Sequence, residues 1–88
     1  MMKEEKFLVN KYGTKILGYK GLEYVVCALK ETRLIYDIMK WYKDIGVQHN
    51  KHWQSIERNL RHFRSAIDEE RVNQEYLNSL IIEYRSGK

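Results

Sequence analysis

The chain has no proline, a single cysteine and only five glycines among its 88 residues. So few breakers, with apolar residues recurring at helical spacing, predict an all-α fold: a small bundle of about five helices. One cysteine excludes an internal disulfide and a cysteine-based zinc site. Cys27 sits among Val25, Val26 and Leu29 and reads as a small core residue, which fits a reducing, cytoplasmic setting. No apolar run approaches membrane-spanning length, so no membrane partner is expected. The opening MMKEEKFLVN is charged and lacks the apolar stretch of a signal peptide. Repeats, low-complexity tracts and linkers are missing too, so residues 1–88 read as one domain, with 1–6 and 86–88 as frayed ends. No glycine-rich phosphate loop, nucleophile motif or paired carboxylates stand out. The expectation is therefore a protein that is not an enzyme, with no cofactor and no small-molecule substrate. The three histidines, His49, His52 and His62, have no cysteine or suitably spaced carboxylate to complete a tetrahedral set, so no metal site is expected.

What is present is a 43% apolar and 12% aromatic composition, which argues for a packed core and against disorder. The net charge is +4 and the isoelectric point is near 9.2. That balance leans toward an anionic partner.

The chain is organised around residues 53–67, WQSIERNLRHFRSAI. On a helix, Trp53, Ile56, Leu60, Phe63 and Ile67 form one apolar stripe. The other side carries Gln54, Ser55, Arg58, Arg61, His62 and Ser65, donor-rich side chains suited to phosphates and base edges. Upstream, residues 44–50 read as a shorter helix. Residues 48–51 read as a turn, with Asn50 the residue most able to adopt a left-handed conformation. A short helix, a tight turn and a longer basic helix predict a helix-turn-helix, with a recognition helix over about 52–67.

The flanking segments are expected to scaffold it. Phe7, Leu8 and Val9 anchor the N-terminus, and Tyr12-Gly13-Thr14 makes a turn. A first helix is predicted over about 16–30, and Thr32 is the candidate N-cap of the next. From Leu34 to Ile45 the apolar positions run on without a break. The helix-turn-helix reading prefers two helices there, joined near 41–43. Gly46 costs about 1 kcal/mol inside a helix, so a close helix–helix approach is expected at that point. Residues 68–71 read as a charged, exposed connector and about 74–85 as the last helix.

Three segments carry a resemblance. Ser55-Ile56-Glu57-Arg58-Asn59-Leu60-Arg61-His62 is similar to an R-V-E-R-A-I-R-H run. Leu17-Gly18-Tyr19-Lys20-Gly21-Leu22 is similar to K-G-Y-x-x-L, and Asn73-Gln74-Glu75-Tyr76 to N-S-E-F. In this order they resemble the C-terminal effector domain of the sporulation-initiation response regulators of spore-forming bacteria. The resemblance implies an all-α transcription-regulating domain of about six helices, bound to double-stranded DNA as a homodimer on tandem sites. Glu57, Arg58, Arg61 and His62 match positions of its DNA-contacting helix. The chain departs from the pattern at Ser55, where the family has arginine, at Lys51-His52-Trp53, where it is rich in threonine, and at Lys43, where it has proline. The segment between the last two helices is also shorter, as though one helix were deleted. No receiver domain precedes the matched region, so phosphorylation in cis is not the expected switch.

The candidate DNA-binding residues are thus Lys51, His52, Gln54, Ser55, Glu57, Arg58, Arg61 and His62. Arg58 and Arg61 suit guanine, a contact worth about 1–3 kcal/mol of discrimination. Glu57 has two readings: acceptor from cytosine, or support for Arg61 or Arg64. Lys51 and His52, with Lys43 and Gln48 nearby, are candidate phosphate clamps. Trp53 reads as a core-edge anchor. The alternative function is a protein-interaction module, motivated by the aromatic residues Tyr19, Tyr24, Tyr36 and Trp41.

Overall fold

Residues 2–87 are described by a computed structural model. They form five α-helices: α1 (Lys3–Tyr12), α2 (Gly21–Leu29), α3 (Ile38–His49), α4 (Trp53–Ala66) and α5 (Asn73–Arg85), with a 3-10 helix at Thr14–Gly18. There is no strand among the described residues, and no helix is long and apolar enough to cross a membrane.

The centre of the bundle is α2. Seven of its nine residues are buried, Leu22, Tyr24, Val25, Val26, Ala28 and Leu29 among them. A helix apolar on nearly all sides must be enclosed, and α1, α4 and α5 pack around it. Ile56, Leu60 and Phe63 of α4 and Tyr76, Leu77, Leu80 and Ile81 of α5 join it in one continuous core. Gly21 sets the approach of α2 to α4. A methyl there would collide with the Asn59 carbonyl and the Phe63 Cβ, so only glycine lets the two backbones meet.

The N-terminus is not frayed from residue 3 onward. Its helix escapes a periodicity reading because Phe7, Leu8 and Val9 are contiguous and the rest is polar. Glu4 and Glu5 complement the helix dipole in the first turn and Lys11 does so in the last. Tertiary contacts then fix it. Leu8 is buried, Phe7 packs edge-on against Tyr84 at 5.2 Å, and Lys11 pairs with Glu83 at 2.9 Å. The Tyr12 and Tyr76 hydroxyls are 3.0 Å apart. Gly13 ends α1 at φ 90°, the turn anticipated there. Met1 and Lys88 lie outside the described residues. Ser86 caps α5 and Gly87 follows it in a turn.

The predicted helix over 16–30 is divided: its first turn is the 3-10 helix, and α2 begins only at Gly21. The expected pair of helices between Leu34 and Asn50 is a correction as well. Thr32 caps nothing. Residues 30–37 are irregular, and one unbroken α3 begins after Asp37, whose Oδ1 accepts from the Lys40 N–H at 3.1 Å. The irregular segment is held by amide side chains of α5. Asn78 accepts from the Ile35 N–H at 2.8 Å and donates to the Ile35 carbonyl at 2.9 Å, and Gln74 donates to the carbonyls of Ile35 and Tyr36. Buried backbone polar groups require partners; here two side chains supply what a helix would have supplied. Cys27 is half-buried against the core, with its Sγ 3.5 Å from His49 Nε2.

Candidate nucleic-acid interface

The turn between α3 and α4 spans Asn50 to His52. Asn50 adopts the left-handed conformation, φ 55° and ψ 48°. The Lys51 N–H donates to the Gly46 carbonyl at 2.8 Å and the Asn50 N–H to that of Val47 at 3.3 Å. This is a Schellman ending, with asparagine in the place glycine usually takes. Gly46 is explained by it. A Cβ there would lie 2.5 Å from the Lys51 carbonyl oxygen. The close approach is therefore to the turn's backbone, not to another helix as expected.

His52 then starts α4. Its Nδ1 accepts from the Gln54 N–H at 3.2 Å, an N-cap made by an imidazole. With Nδ1 accepting, Nε2 carries the proton and is free to donate outward. Trp53 stacks on Tyr42, rings 6.3 Å apart and 11° from parallel, so it sits at the core edge. Along α4, Ile56, Leu60 and Phe63 are buried, while Trp53 and Ile67 pack partly against the core. Gln54, Arg58, Arg61, His62 and Ser65 are exposed, and Ser55, Glu57 and Asn59 are half-buried.

Glu57 grips Arg61 at both ends. The Arg61 Nε and Nη2 donate to its two oxygens at 3.1 and 3.2 Å, and this hydrogen bond raises the already high guanidinium pKa. Of five N–H donors, three remain for an external acceptor. Of the contacts considered for Glu57, the one present in the structure is with Arg61. Arg64 is committed elsewhere. It donates to Asn73 Oδ1 and to the carbonyls of Glu69 and Arg71, so it belongs to the scaffold.

The short connection after α4 is exposed, as expected, except at the half-buried Glu69, and it is clamped by local contacts. Asp68, at φ 58°, ends α4 as Asn50 ends α3, with the Glu69 N–H donating to the Arg64 carbonyl at 2.8 Å. Arg71 grips both Glu69 oxygens, at 2.8 and 3.1 Å. That contact holds the Glu69 carboxyl well below the usual range, at about 2.

Of the predicted site residues, Lys51, Ser55 and Arg58 line one cleft of about 390 Å³ beside α4. Lys20, Glu23, Tyr24 and Asn59 complete its wall. Lys51 and His52 also border a second concavity with Lys43 and Val47. Gln54, Glu57, Arg61 and His62 lie on α4 outside both clefts. Lys20 and Asn59 were not anticipated as site residues. Asn59 sits in the basic helix, but only the contact at Gly21 brings Lys20 to it. Of the aromatic residues behind the interaction-module reading, Tyr24 and Trp41 are in the core, at 2% and 7% exposure. The proposed aromatic surface is thereby reduced to Tyr19 and Tyr36. Comparison with protein-family models, curated proteins and solved structures gives no match.

Proposed function

We propose that this chain is a sequence-specific DNA-binding domain acting in transcription, with α4 as its recognition helix in the major groove. The observation that carries the reading is the two-sidedness of α4 behind a three-residue turn. Its apolar stripe is locked into the core, while Gln54, Arg58, Arg61 and His62 face solvent on a rigid element. A helix held this way presents its side chains to base edges from a fixed backbone. Arg58 has no carboxylate partner among the described residues, and Arg61 is aimed by Glu57. Both suit the paired acceptors of guanine. Nε2 of His52 and the Lys51 ammonium suit phosphates at the helix start.

A random-site selection with duplex DNA, followed by salt titration of the selected sequence, tests this. The expected result is an enriched motif, with affinity falling steeply as salt rises. Arg58→Ala should flatten preference at one or two positions of the motif, and Lys51→Ala should weaken all duplexes alike. Failure to enrich any sequence at low salt would refute the reading.

The second reading is a protein-interaction module pairing with itself. It is favoured by Tyr36, Val72 and Ile82, exposed at 81%, 64% and 56%. Val72 and Ile82 border one groove on α5 together with Gln74, which bonds the Tyr36 carbonyl. Light scattering showing a stable dimer without DNA affinity would select it; a monomer that binds DNA would select the first.

A further inference from the structure

The cleft between the first turn of α2 and the face of α4 has features that base reading does not explain. Three cations line it, Lys20, Lys51 and Arg58. They come from three different segments: the residue before α2, the inter-helix turn, and the second turn of α4. None of the three has a carboxylate partner within ion-pair distance among the described residues. Four other cations, Lys11, Lys40, Arg61 and Arg71, each hold a carboxylate. Like charges gathered around one concavity repel each other, and a single carboxylate in the wall, Glu23, offsets them only in part.

The backbones around the cleft are closely packed. Gly21 ties the start of α2 to the Asn59 carbonyl, and Gly46 ties the end of α3 to the Lys51 carbonyl. Neither contact leaves room for a methyl: the first sets the backbone next to Lys20 against α4, and the second packs that of Lys51 against the end of α3. The remaining wall is polar or aromatic. Ser55 and Asn59 offer neutral hydrogen-bond groups, and Tyr24 is buried behind them. The one anion in the wall, Glu23, lies 3.3 Å from His49 Nδ1, so three cations face a single carboxylate.

We propose that this cleft is a phosphate seat, occupied in the DNA complex by a backbone phosphate beside the groove that α4 enters. The proposal deepens the DNA-binding reading and rests on it for the source of the phosphate. Lys20 and Lys51 supply charge, Arg58 is shared between the seat and the bases, and Ser55 and Asn59 complete the hydrogen bonding. Charge-assisted bonds of this kind position a protein on the duplex without specifying sequence.

Two measurements on the full chain separate the proposal from its premise. The first is duplex affinity against salt for wild type, Lys20→Gln and Glu23→Gln, on the selected site and on a scrambled one. Losing one phosphate contact should lower the slope of log K against log salt by about 0.9, equivalent to roughly eightfold in affinity at 0.1 M salt. Lys20→Gln should show that loss equally on both duplexes, and Glu23→Gln should tighten both. Both side chains are exposed, so an unchanged melting temperature is expected of each variant. The second is an amide-shift titration with inorganic phosphate at constant ionic strength. It should saturate at Gly21, Leu22 and Ser55 in wild type and not in Lys20→Gln. If Lys20→Gln binds duplex with wild-type affinity and slope, the seat is wrong while the DNA reading stands. If no duplex binds but phosphate saturates at these amides, the anion seat survives and its source is free phosphate. No response to either probe overturns both.

Discussion

Asn73 joins three helices through one buried side chain. At the start of α5, its Nδ2 donates to the Tyr42 hydroxyl of α3 at 2.8 Å and weakly to the Glu57 carbonyl of α4, while its Oδ1 accepts from Arg64. Both Asn73 and Tyr42 are buried, and every buried side-chain nitrogen and oxygen among the described residues has a partner. Asn73→Ala should therefore cost more than a hydrogen bond. It strands the Tyr42 hydroxyl, at about 1–3 kcal/mol for an unsatisfied buried group. Arg64 keeps its two carbonyl acceptors, so its loss adds no more than about 1 kcal/mol. The expected total, about 2–3 kcal/mol, is a large share of the roughly 4–13 kcal/mol typical of a domain this size. It corresponds to a fall in Tm of about 8–24 °C. Urea unfolding followed by tryptophan fluorescence measures it. Tyr42→Phe removes the stranded group, so Asn73→Ala should cost about 1–3 kcal/mol less in that background. Loss of under about 0.5 kcal/mol in the single variant, or strict additivity in the pair, would refute the reasoning.

Other perturbations test the turn, the connector and the core contact. Gly46→Ala gains about 1 kcal/mol of helix propensity but drives a methyl into the Lys51 carbonyl, so chemical denaturation should show a net loss of about 1–2 kcal/mol. Asn50→Ala forces a Cβ-bearing residue without a compensating amide into the left-handed region and should cost about 1 kcal/mol, whereas Asn50→Gly should stay within about 0.5 kcal/mol of wild type. Gly21→Ala should destabilise by about 1–3 kcal/mol, because neither the Asn59 backbone nor the Phe63 Cβ can swing aside. Glu69 has a folded-state pKa of about 2, below its unfolded value near 4.5. Its ion pair with Arg71 thus contributes fully above about pH 5 and is lost as the pH falls toward 2. Glu69→Gln should flatten that acid limb in melting curves recorded across this range, and an unchanged limb would show that the pair adds nothing.

The most legible part of the fold was α4. Its stripe at helical spacing is the stripe that the structure buries, and Asn50 takes the left-handed turn expected of it. Its boundaries also hold, because His52 and Ile67 flank a helix whose period is undisturbed. Legibility failed where a tertiary contact overrides local pattern. Helix α1 carries its apolar residues side by side and so shows no helical period, and docking against Tyr84, Tyr76 and Glu83 fixes it in place. Leu34 and Ile35 continue a helical period, yet Gln74 and Asn78, some forty residues on, hold their segment out of the helix. The site divides in the same way. Residues on α4 were readable from its polar face, and Glu57 with Arg61 from their i,i+4 spacing. Lys20 was not, since its place beside Arg58 depends on a glycine contact between two helices that no local pattern encodes. Tyr24 and Trp41 show the converse error: aromatic residues counted as surface turn out to fill the core, where their bulk serves a small domain.

The decisive question is whether α4 meets DNA. Titrating the isotope-labelled chain with its selected duplex and following backbone and side-chain amides would locate the contact directly. The predicted result is that the largest shifts fall on residues 51–62 along the exposed face of α4, with Lys20 and Gly21 joining them and the outer face of α5 silent. Shifts confined to Val72, Gln74 and Ile82, or no shifts with any duplex at low salt, would contradict it.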